Sequence, residues 1–159
     1  MQVALFPFGF LSRMLFTVAL LFSIALTACK KDEPAKVHTL ESARAAWAAQ
    51  GKSSYTIDQQ WGCGCVPVEY GKVRITVQNN LITNVISLKD GQPVPSTRWQ
   101  LFSTVEELFQ TIGEFETRPP FKSGVQYDPH YGYPTVVDVD YSGEVVDEEF
   151  VITTSGLAF

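Results

Sequence analysis

The fold is decided by the stretch Ser103-Thr104-Val105-Glu106-Glu107-Leu108-Phe109-Gln110-Thr111-Ile112-Gly113-Glu114-Phe115. Ser103 and Glu106 have the spacing of a capping box, in which each side chain accepts a hydrogen bond from the other residue's backbone N–H. Apolar residues then recur at helical spacing along one side: Val105, Leu108, Phe109, Ile112 and Phe115. The stretch therefore predicts an amphipathic helix that begins at Ser103, ends before Pro119-Pro120 and covers one face of a sheet.

A second helix is predicted after Thr39, which is a favourable N-cap residue. Four residues share one face of this helix at helical spacing: Leu40, Ala43, Trp47 and Gln50. We interpret Trp47 as a core residue, and Gly51 as the residue that ends the helix in a left-handed conformation.

Alternating side chains predict six strands, which cover residues 54–60, 73–77, 81–88, 125–128, 134–141 and 149–153. Gln78-Asn79-Asn80 predicts a tight turn, because Asn tolerates a positive φ, and Asp90-Gly91 with Pro93 and Pro95 predicts a loop. Short turns favour antiparallel pairing. The predicted fold class is α+β: a single domain with an antiparallel sheet of about five to six strands and two helices on one face. A helix followed by three strands occurs twice along the chain, which suggests a doubled unit, although the amino-acid sequence shows no internal repeat.

The N-terminal region predicts a secretory signal, because residues 14–28 carry no charge and Arg13 precedes them. As a helix, this run would be about 22 Å long, which is short for a bilayer core of about 30 Å. Leu26-Thr27-Ala28-Cys29 resembles the lipobox of bacterial lipoproteins, and this resemblance implies cleavage before Cys29 and diacylation of its sulfur. The alternative is an uncleaved signal anchor with an ordinary buried Cys29.

The predicted organisation is therefore a signal peptide at 1–28, a lipidated Cys29 with a flexible tether at 29–37, and one domain at 38–159. The membrane is then a partner through the lipid anchor, and the predicted location is the cell envelope outside the cytoplasm. Residue 30 is Lys, which by resemblance implies the periplasmic side of the outer membrane in a Gram-negative cell. The net charge of −5 and the lack of a basic cluster argue against nucleic acid as a partner.

Cys63 and Cys65 remain as a pair once Cys29 carries lipid, and an even number suits an oxidising compartment. We favour a local disulfide, in which Gly64 relieves the strain of a very small ring. Reduced thiols, a metal-binding pair and a redox-catalytic pair are the alternatives. No basic residue lies within five positions to lower a thiol pKa.

The segment from Asp138 to Glu149 matches the sequence pattern of a twelve-residue EF-hand calcium loop. Its candidate oxygen ligands are Asp138, Asp140, Ser142, Glu144 and Glu149, with Gly143 at the position of the sharp turn. Helices should flank such a loop, whereas the preceding residues alternate like a strand. A hairpin with solvated carboxylates is the favoured interpretation, and calcium binding is the alternative.

A tyrosine-rich turn supplies the third candidate site, a binding rim made of Tyr127, Asp128, His130, Tyr131 and Tyr133. Asp-Pro followed by Gly is typical of a turn. Tyrosines at strand ends more often pack against the core with a solvated hydroxyl. His130 has no nucleophile near it in sequence, which argues against a catalytic dyad.

Several of these motifs occur together in one order: Trp47, Ser54-Tyr55, Cys63-Gly64-Cys65, a hairpin, the Phe109 helix, Tyr127-Asp128, Gly132-Tyr133-Pro134 and Asp147-Glu148-Glu149. Over about residues 40–159, the chain resembles the bacterial secreted and lipid-anchored family catalogued as domain of unknown function 6174. The family carries no assigned activity, so the resemblance implies a fold and a location but no reaction. Gly64 stands where a bulkier residue is expected in that family.

Two classes of function are compatible with these features. The first, which we favour, is a non-catalytic envelope protein that binds a protein, peptide or small ligand. The second is an envelope metal-binding or thiol-redox protein that uses Cys63 and Cys65 or the 138–149 loop. Calcium would be the cofactor of the metal-binding alternative. No nucleophile-elbow, zinc-protease or phosphate-loop motif is present, so an enzyme is the less favoured interpretation.

Overall fold

The computed structural model describes residues 39–63, 70–145 and 148–159. The predicted signal peptide, Cys29 and tether lie outside these residues. The described part contains the elements α1 (Leu40–Ala48), β1 (Tyr55–Gly62), β2 (Lys72–Gln78), β3 (Leu81–Ser87), α2 (Val105–Glu114), β4 (Lys122–Tyr127), β5 (Pro134–Asp140) and β6 (Glu149–Ala158). The predicted α+β fold is confirmed.

The six strands form one sheet in the order β3-β2-β1-β6-β5-β4, and every neighbouring pair is antiparallel. Each half of the chain is a helix followed by three strands that lie side by side, and the halves join where β1 pairs with β6. The tight turn between β2 and β3 places Asn79 at φ 51° and Asn80 at φ 62°, as the sequence predicted.

Both helices cover the same face of this sheet. The register pairs Ile57 with Ile75 and Val137 with Ile152, and all four side chains are buried under the helices. The helices contribute Ala43, Trp47, Val105, Leu108, Phe109 and Ile112 to the core. The opposite face has no helix of the described residues on it and carries mainly polar side chains.

The two helix starts differ in how well the sequence predicted them. Thr39 is the N-cap of α1, as expected, and Gly51 follows the helix at φ 59°. The N-cap of α2 is Thr104 and not Ser103: Thr104 Oγ1 accepts from Glu107 N at 3.1 Å, and Glu107 Oε2 accepts from Thr104 N at 2.7 Å. The predicted box at Ser103 and Glu106 was therefore wrong by one residue.

Tertiary contacts explain this shift, because Ser103 and Glu106 are engaged elsewhere. The buried Gln59 side chain binds the Ser103 backbone, accepting from its N–H at 3.0 Å and donating to its carbonyl at 3.1 Å. Glu106 instead accepts hydrogen bonds from β1 and α1.

The loop after β3, predicted as irregular, contains a 3₁₀ helix at Ser96–Leu101. In the described part, no helix has the length and apolar character needed to cross a membrane.

A candidate ligand groove between the two helices

An open groove of about 620 Å³ runs between α1 and α2. Aromatic side chains at its base are buried, and the polar side chains around them are more exposed. The lining residues that matter here are Arg44, Trp47, Glu106, Phe109, Gln110 and Glu114. Its volume falls within the range of about 300–1,000 Å³ that is typical of small-ligand sites.

Glu106 is the polar centre of this groove. Its Oε1 accepts a hydrogen bond from Trp47 Nε1 at 2.9 Å, and its Oε2 accepts one from Tyr55 OH at 2.8 Å. Both donors are neutral, and no Lys or Arg of the described residues forms an ion pair with Glu106. A carboxylate has about four lone-pair sites, so each oxygen can accept a further donor.

Tyr55 connects this carboxylate to the sheet. The buried Tyr55 hydroxyl donates to Glu106 and accepts from Val105 N at 2.8 Å, and its ring meets the Trp47 ring edge-on with centroids 5.2 Å apart. Burial, together with the nearby Glu106 charge, raises the pKa of Tyr55 far above its usual range. The phenol is therefore a hydrogen-bond donor at neutral pH and not a base.

Arg44 crosses the groove from α1 to α2. One Nη donates to the carbonyl of Phe109 at 2.6 Å. A Cβ at position 113 would lie 2.6 Å from the same nitrogen, so a larger residue there would displace the guanidinium from its present position. The guanidinium thus ties the two helices together at the middle of the groove.

Polar side chains recur along the α2 side of the groove at Glu106, Gln110 and Glu114. These residues are four apart, so they lie in one row along the helix. The described lining contains one cation, Arg44, and two carboxylates, Glu106 and Glu114, so it carries one net negative charge at neutral pH. The arrangement combines acidic oxygens with aromatic surface.

The chain was compared with protein families, with curated proteins and with solved structures. A family of unknown function, DUF6174, matches residues 39–159. The chain belongs to the DUF6174 family. No curated protein and no solved structure matches it.

The structure gives the tyrosine turn of this DUF6174 chain a packing role. Asp128 Oδ1 accepts from the N–H groups of His130 at 2.9 Å and Tyr131 at 2.7 Å, which closes the turn. Gly132 lies at φ 81° against α1, where a Cβ would come within 2.4 Å of the Ala43 carbonyl oxygen. Only glycine fits this close approach.

The predicted rim residues are consequently divided between core and surface. Tyr133 is buried, and Tyr127 stacks on Phe109 with centroids 6.4 Å apart. Burial raises the pKa of both phenols. His130 and Tyr131 remain together at the surface, where the Tyr131 ring meets that of Phe159 at 5.7 Å. Whether this rim binds anything stays a prediction.

The predicted calcium ligands lie on and between two strands of the DUF6174 domain. Asp138 and Asp140 belong to β5, Glu149 begins β6 opposite Asp140, and Ser142 and Glu144 lie in the loop between them. The flanking elements are thus strands, as the hairpin interpretation expects. Asp140 Oδ1 accepts from Ser142 N at 3.0 Å, and Ser142 Oγ accepts from Glu144 N at 3.4 Å.

No group of three or more His, Cys, Asp or Glu residues in the described part could hold a metal ion. Calcium binding by the 138–149 loop stays a prediction, since residues 146 and 147 lie outside the described part. Cys63 directly follows β1 and is half-buried, whereas Cys65 and Cys29 lie outside the described residues. The Cys63–Cys65 pairing and the acylation of Cys29 are therefore also predictions.

A charged cluster that the sequence did not reveal lies on the other face of the sheet. Asp58 is 6% exposed, and Arg74 binds it through two hydrogen bonds of 2.7 and 3.1 Å. Lys72 donates to Ser155 Oγ at 2.9 Å beside them. Gly156, at φ 63°, leaves the space that Asp58 needs. The cluster joins β1, β2 and β6 at the seam between the two halves.

Proposed function

We propose that this protein is a cell-envelope lipoprotein whose folded domain binds a ligand in the groove between α1 and α2, and does not catalyse a reaction. The observation that carries the proposal is the groove itself. It holds a carboxylate whose donors among the described residues are both neutral, beside a buried indole and a guanidinium fixed across the opening.

The envelope location is supported by the sequence of the first 30 residues. An uncharged run follows Arg13 and ends at Leu26-Thr27-Ala28-Cys29, so the proposed mature protein begins with a diacylated Cys29. Two acyl chains are enough to hold a protein stably at a bilayer surface. In a Gram-negative cell, the domain would face the periplasm from the outer membrane.

The chemistry of the groove supports binding over catalysis. The raised pKa of Tyr55 keeps its phenol protonated at neutral pH, and Glu106 is held by two donors that fix its orientation. Arg44 is likewise held by the Phe109 carbonyl. Charges fixed in this way before a ligand arrives lower the cost of ordering the site, which favours affinity.

Site-specific photo-crosslinking in the native envelope tests this proposal. A photoreactive amino acid replaces Gln110, an exposed lining residue, in the lipidated full-length protein. The matched control replaces Gln126, an equally polar and exposed residue on β4 outside the groove. Gly113→Leu is combined with the Gln110 probe to fill the groove.

We expect a defined adduct from position 110 that Gly113→Leu abolishes, and none of the same mass from position 126. The proposal fails if position 110 yields no adduct, if both positions yield the same one, or if the adduct persists in a folded Gly113→Leu variant. Circular dichroism of each variant establishes folding.

A further inference from the structure

We propose that the ligand of this groove is a basic peptide segment of a partner protein, with a lysine or arginine side chain seated against Glu106. This inference rests on the proposed function, because it names the class of ligand for the same groove. It follows from the charges, the aromatic surface and the length of the groove.

The negative charge of Glu106 at the centre of the groove favours a cationic group in the ligand. Glu106 is half-buried and has two neutral donors but no cationic partner among the described residues. A partly buried carboxylate gains more from a charged donor than from water, because the local dielectric constant is lower. An incoming ammonium or guanidinium group can use the lone pairs that Trp47 and Tyr55 leave unoccupied.

Arg44 does not supply that cation. Its guanidinium donates to the Phe109 carbonyl at 2.6 Å and lies over Gly113, about two helical turns along α2 from Glu106. Glu114 adds a second carboxylate farther along the same row. The lining therefore keeps its net negative charge with Arg44 in place.

The aromatic surface suits the stem of a long basic side chain. Trp47 donates its indole N–H to Glu106, so the ring and the carboxylate are adjacent, and Phe109 lines the groove beside them. The aliphatic stems of Lys and Arg pack on apolar surface while their heads stay with polar partners. A cation beside an aromatic ring gains further stabilisation.

The shape of the groove favours a peptide over a compact small molecule. The groove is an open trough, and its polar row spans Glu106 to Glu114, which is about 12 Å of helix at ~1.5 Å per residue. An extended chain covers that length with about four residues at ~3.3 Å each. A segment with basic residues four positions apart, about 13 Å in an extended chain, can place one near each carboxylate.

A pair of blocked peptides tests the inference on the lipidated full-length protein in a non-ionic detergent. One is acetyl-Lys-Ala-Ala-Ala-Lys-amide, and the other carries norleucine in place of each lysine, which keeps most of the stem and removes the charge. Calorimetry measures the affinity of both peptides for the wild type, for Glu106→Gln and for Glu116→Gln. Glu116 is exposed and does not line the groove, so this variant controls for the change in net charge.

We expect the lysine peptide to bind more tightly than the norleucine peptide, and Glu106→Gln to weaken lysine-peptide binding by about tenfold or more. Glu116→Gln should have little effect, and added salt should weaken the binding. If Glu106→Gln does not fold, Glu114→Gln, at an exposed position of the same row, provides the second test and should also weaken binding.

Equal affinity for the two peptides, or no loss in either groove variant, overturns the inference about the ligand class. Absence of binding by both peptides also overturns it. None of these results contradicts the proposed function, which is judged separately by the adduct at position 110.

Discussion

At the scale of single residues, Tyr55 shows how one side chain links the sheet to both helices. Its hydroxyl occupies two hydrogen bonds at once, one to the Glu106 carboxylate and one from the first N–H of α2. Its ring packs against Trp47 of α1. Loss of the hydroxyl leaves Val105 N–H buried without a partner and Glu106 with one donor fewer.

Tyr55 should make the protein less stable at high pH. Burial raises the pKa of Tyr55 in the folded state above the value of about 10 for an unfolded chain. The folded state then keeps a proton that the unfolded state loses, so the contribution of Tyr55 to the free energy of unfolding is constant below about pH 10 and falls above it. While only the unfolded phenol is ionised, the slope contributed by Tyr55 is about 1.4 kcal/mol per pH unit.

Urea denaturation at several pH values between about 9 and 11.5 measures this slope. Tyr55→Phe should be less stable than the wild type at pH 7 by about 1–3 kcal/mol, because of the unpaired N–H. It should also lose the Tyr55 contribution to the slope, while half-buried Tyr127 and buried Tyr133 still contribute theirs. If Tyr55→Phe has the same slope as the wild type, then burial does not protect the wild-type Tyr55 phenol from ionisation.

Residue patterns in the sequence predicted little of the groove. The sequence pattern assigned Glu106 to a helix cap, because Ser103 stands three residues before it. In the structure Glu106 is instead held by Trp47 and Tyr55, which are more than 50 positions away. Likewise, Arg44 and Gly113 meet only after the two helices pack.

At the scale of elements, the turn between β4 and β5 holds α1 against the rest of the fold. The turn approaches α1 so closely that Gly132 touches the Ala43 carbonyl and the Ala46 methyl group. Trp47, one turn farther along α1, lies at the base of the groove. We expect a change in this contact to move α1 and, with it, Trp47.

Gly132→Ala should destabilise the protein more than an ordinary glycine substitution. The matched control is Gly91→Ala, because Gly91 also has a positive φ, of 73°, but nothing lies within 4 Å of the added Cβ. Gly91→Ala should cost only the backbone strain of about 1–2 kcal/mol. Gly132→Ala should cost that strain plus about 1–3 kcal/mol for the clash with α1.

Chemical denaturation of both variants measures the difference. Similar losses of unfolding free energy in the two variants would mean that the turn does not press on α1. A selective loss in Gly132→Ala that is accompanied by altered fluorescence of the buried Trp47 would connect the turn to the groove.

Most secondary elements were predictable from local patterns, because their periodicity reflects burial on one face. The apolar stripe from Val105 to Ile112 is buried as expected, and the Asn79-Asn80 turn has the expected conformation. The 3₁₀ helix at Ser96–Leu101 was missed, since its polar sequence carries no periodic signal and none of its residues is buried.

At the scale of the whole molecule, the described domain consists of two similar halves that share one sheet. Each half buries its own helix, and β1 pairs with β6 across the seam. On the face opposite the helices, Lys72 of β2 donates a hydrogen bond to Ser155 of β6 and so links the two halves across this seam. The groove lies on the helical side, where a helix of each half contributes one wall, so the site depends on the association of the halves.

The proposed location in the cell envelope rests on the uncharged run that ends at Leu26-Thr27-Ala28-Cys29. The proposed anchor gives the groove its setting, because a domain tethered to a bilayer outside the cytoplasm encounters only partners of that compartment. It also sets the oxidising environment in which Cys63 and Cys65 are expected to pair.

The most direct test of this account is the mass of the N-terminal peptide of protein purified from its native membrane. We predict a mature chain that begins at Cys29, with a diacylglycerol group on its sulfur and with residues 1–28 removed. An unmodified Cys29, or a chain that still carries the leader, would contradict it.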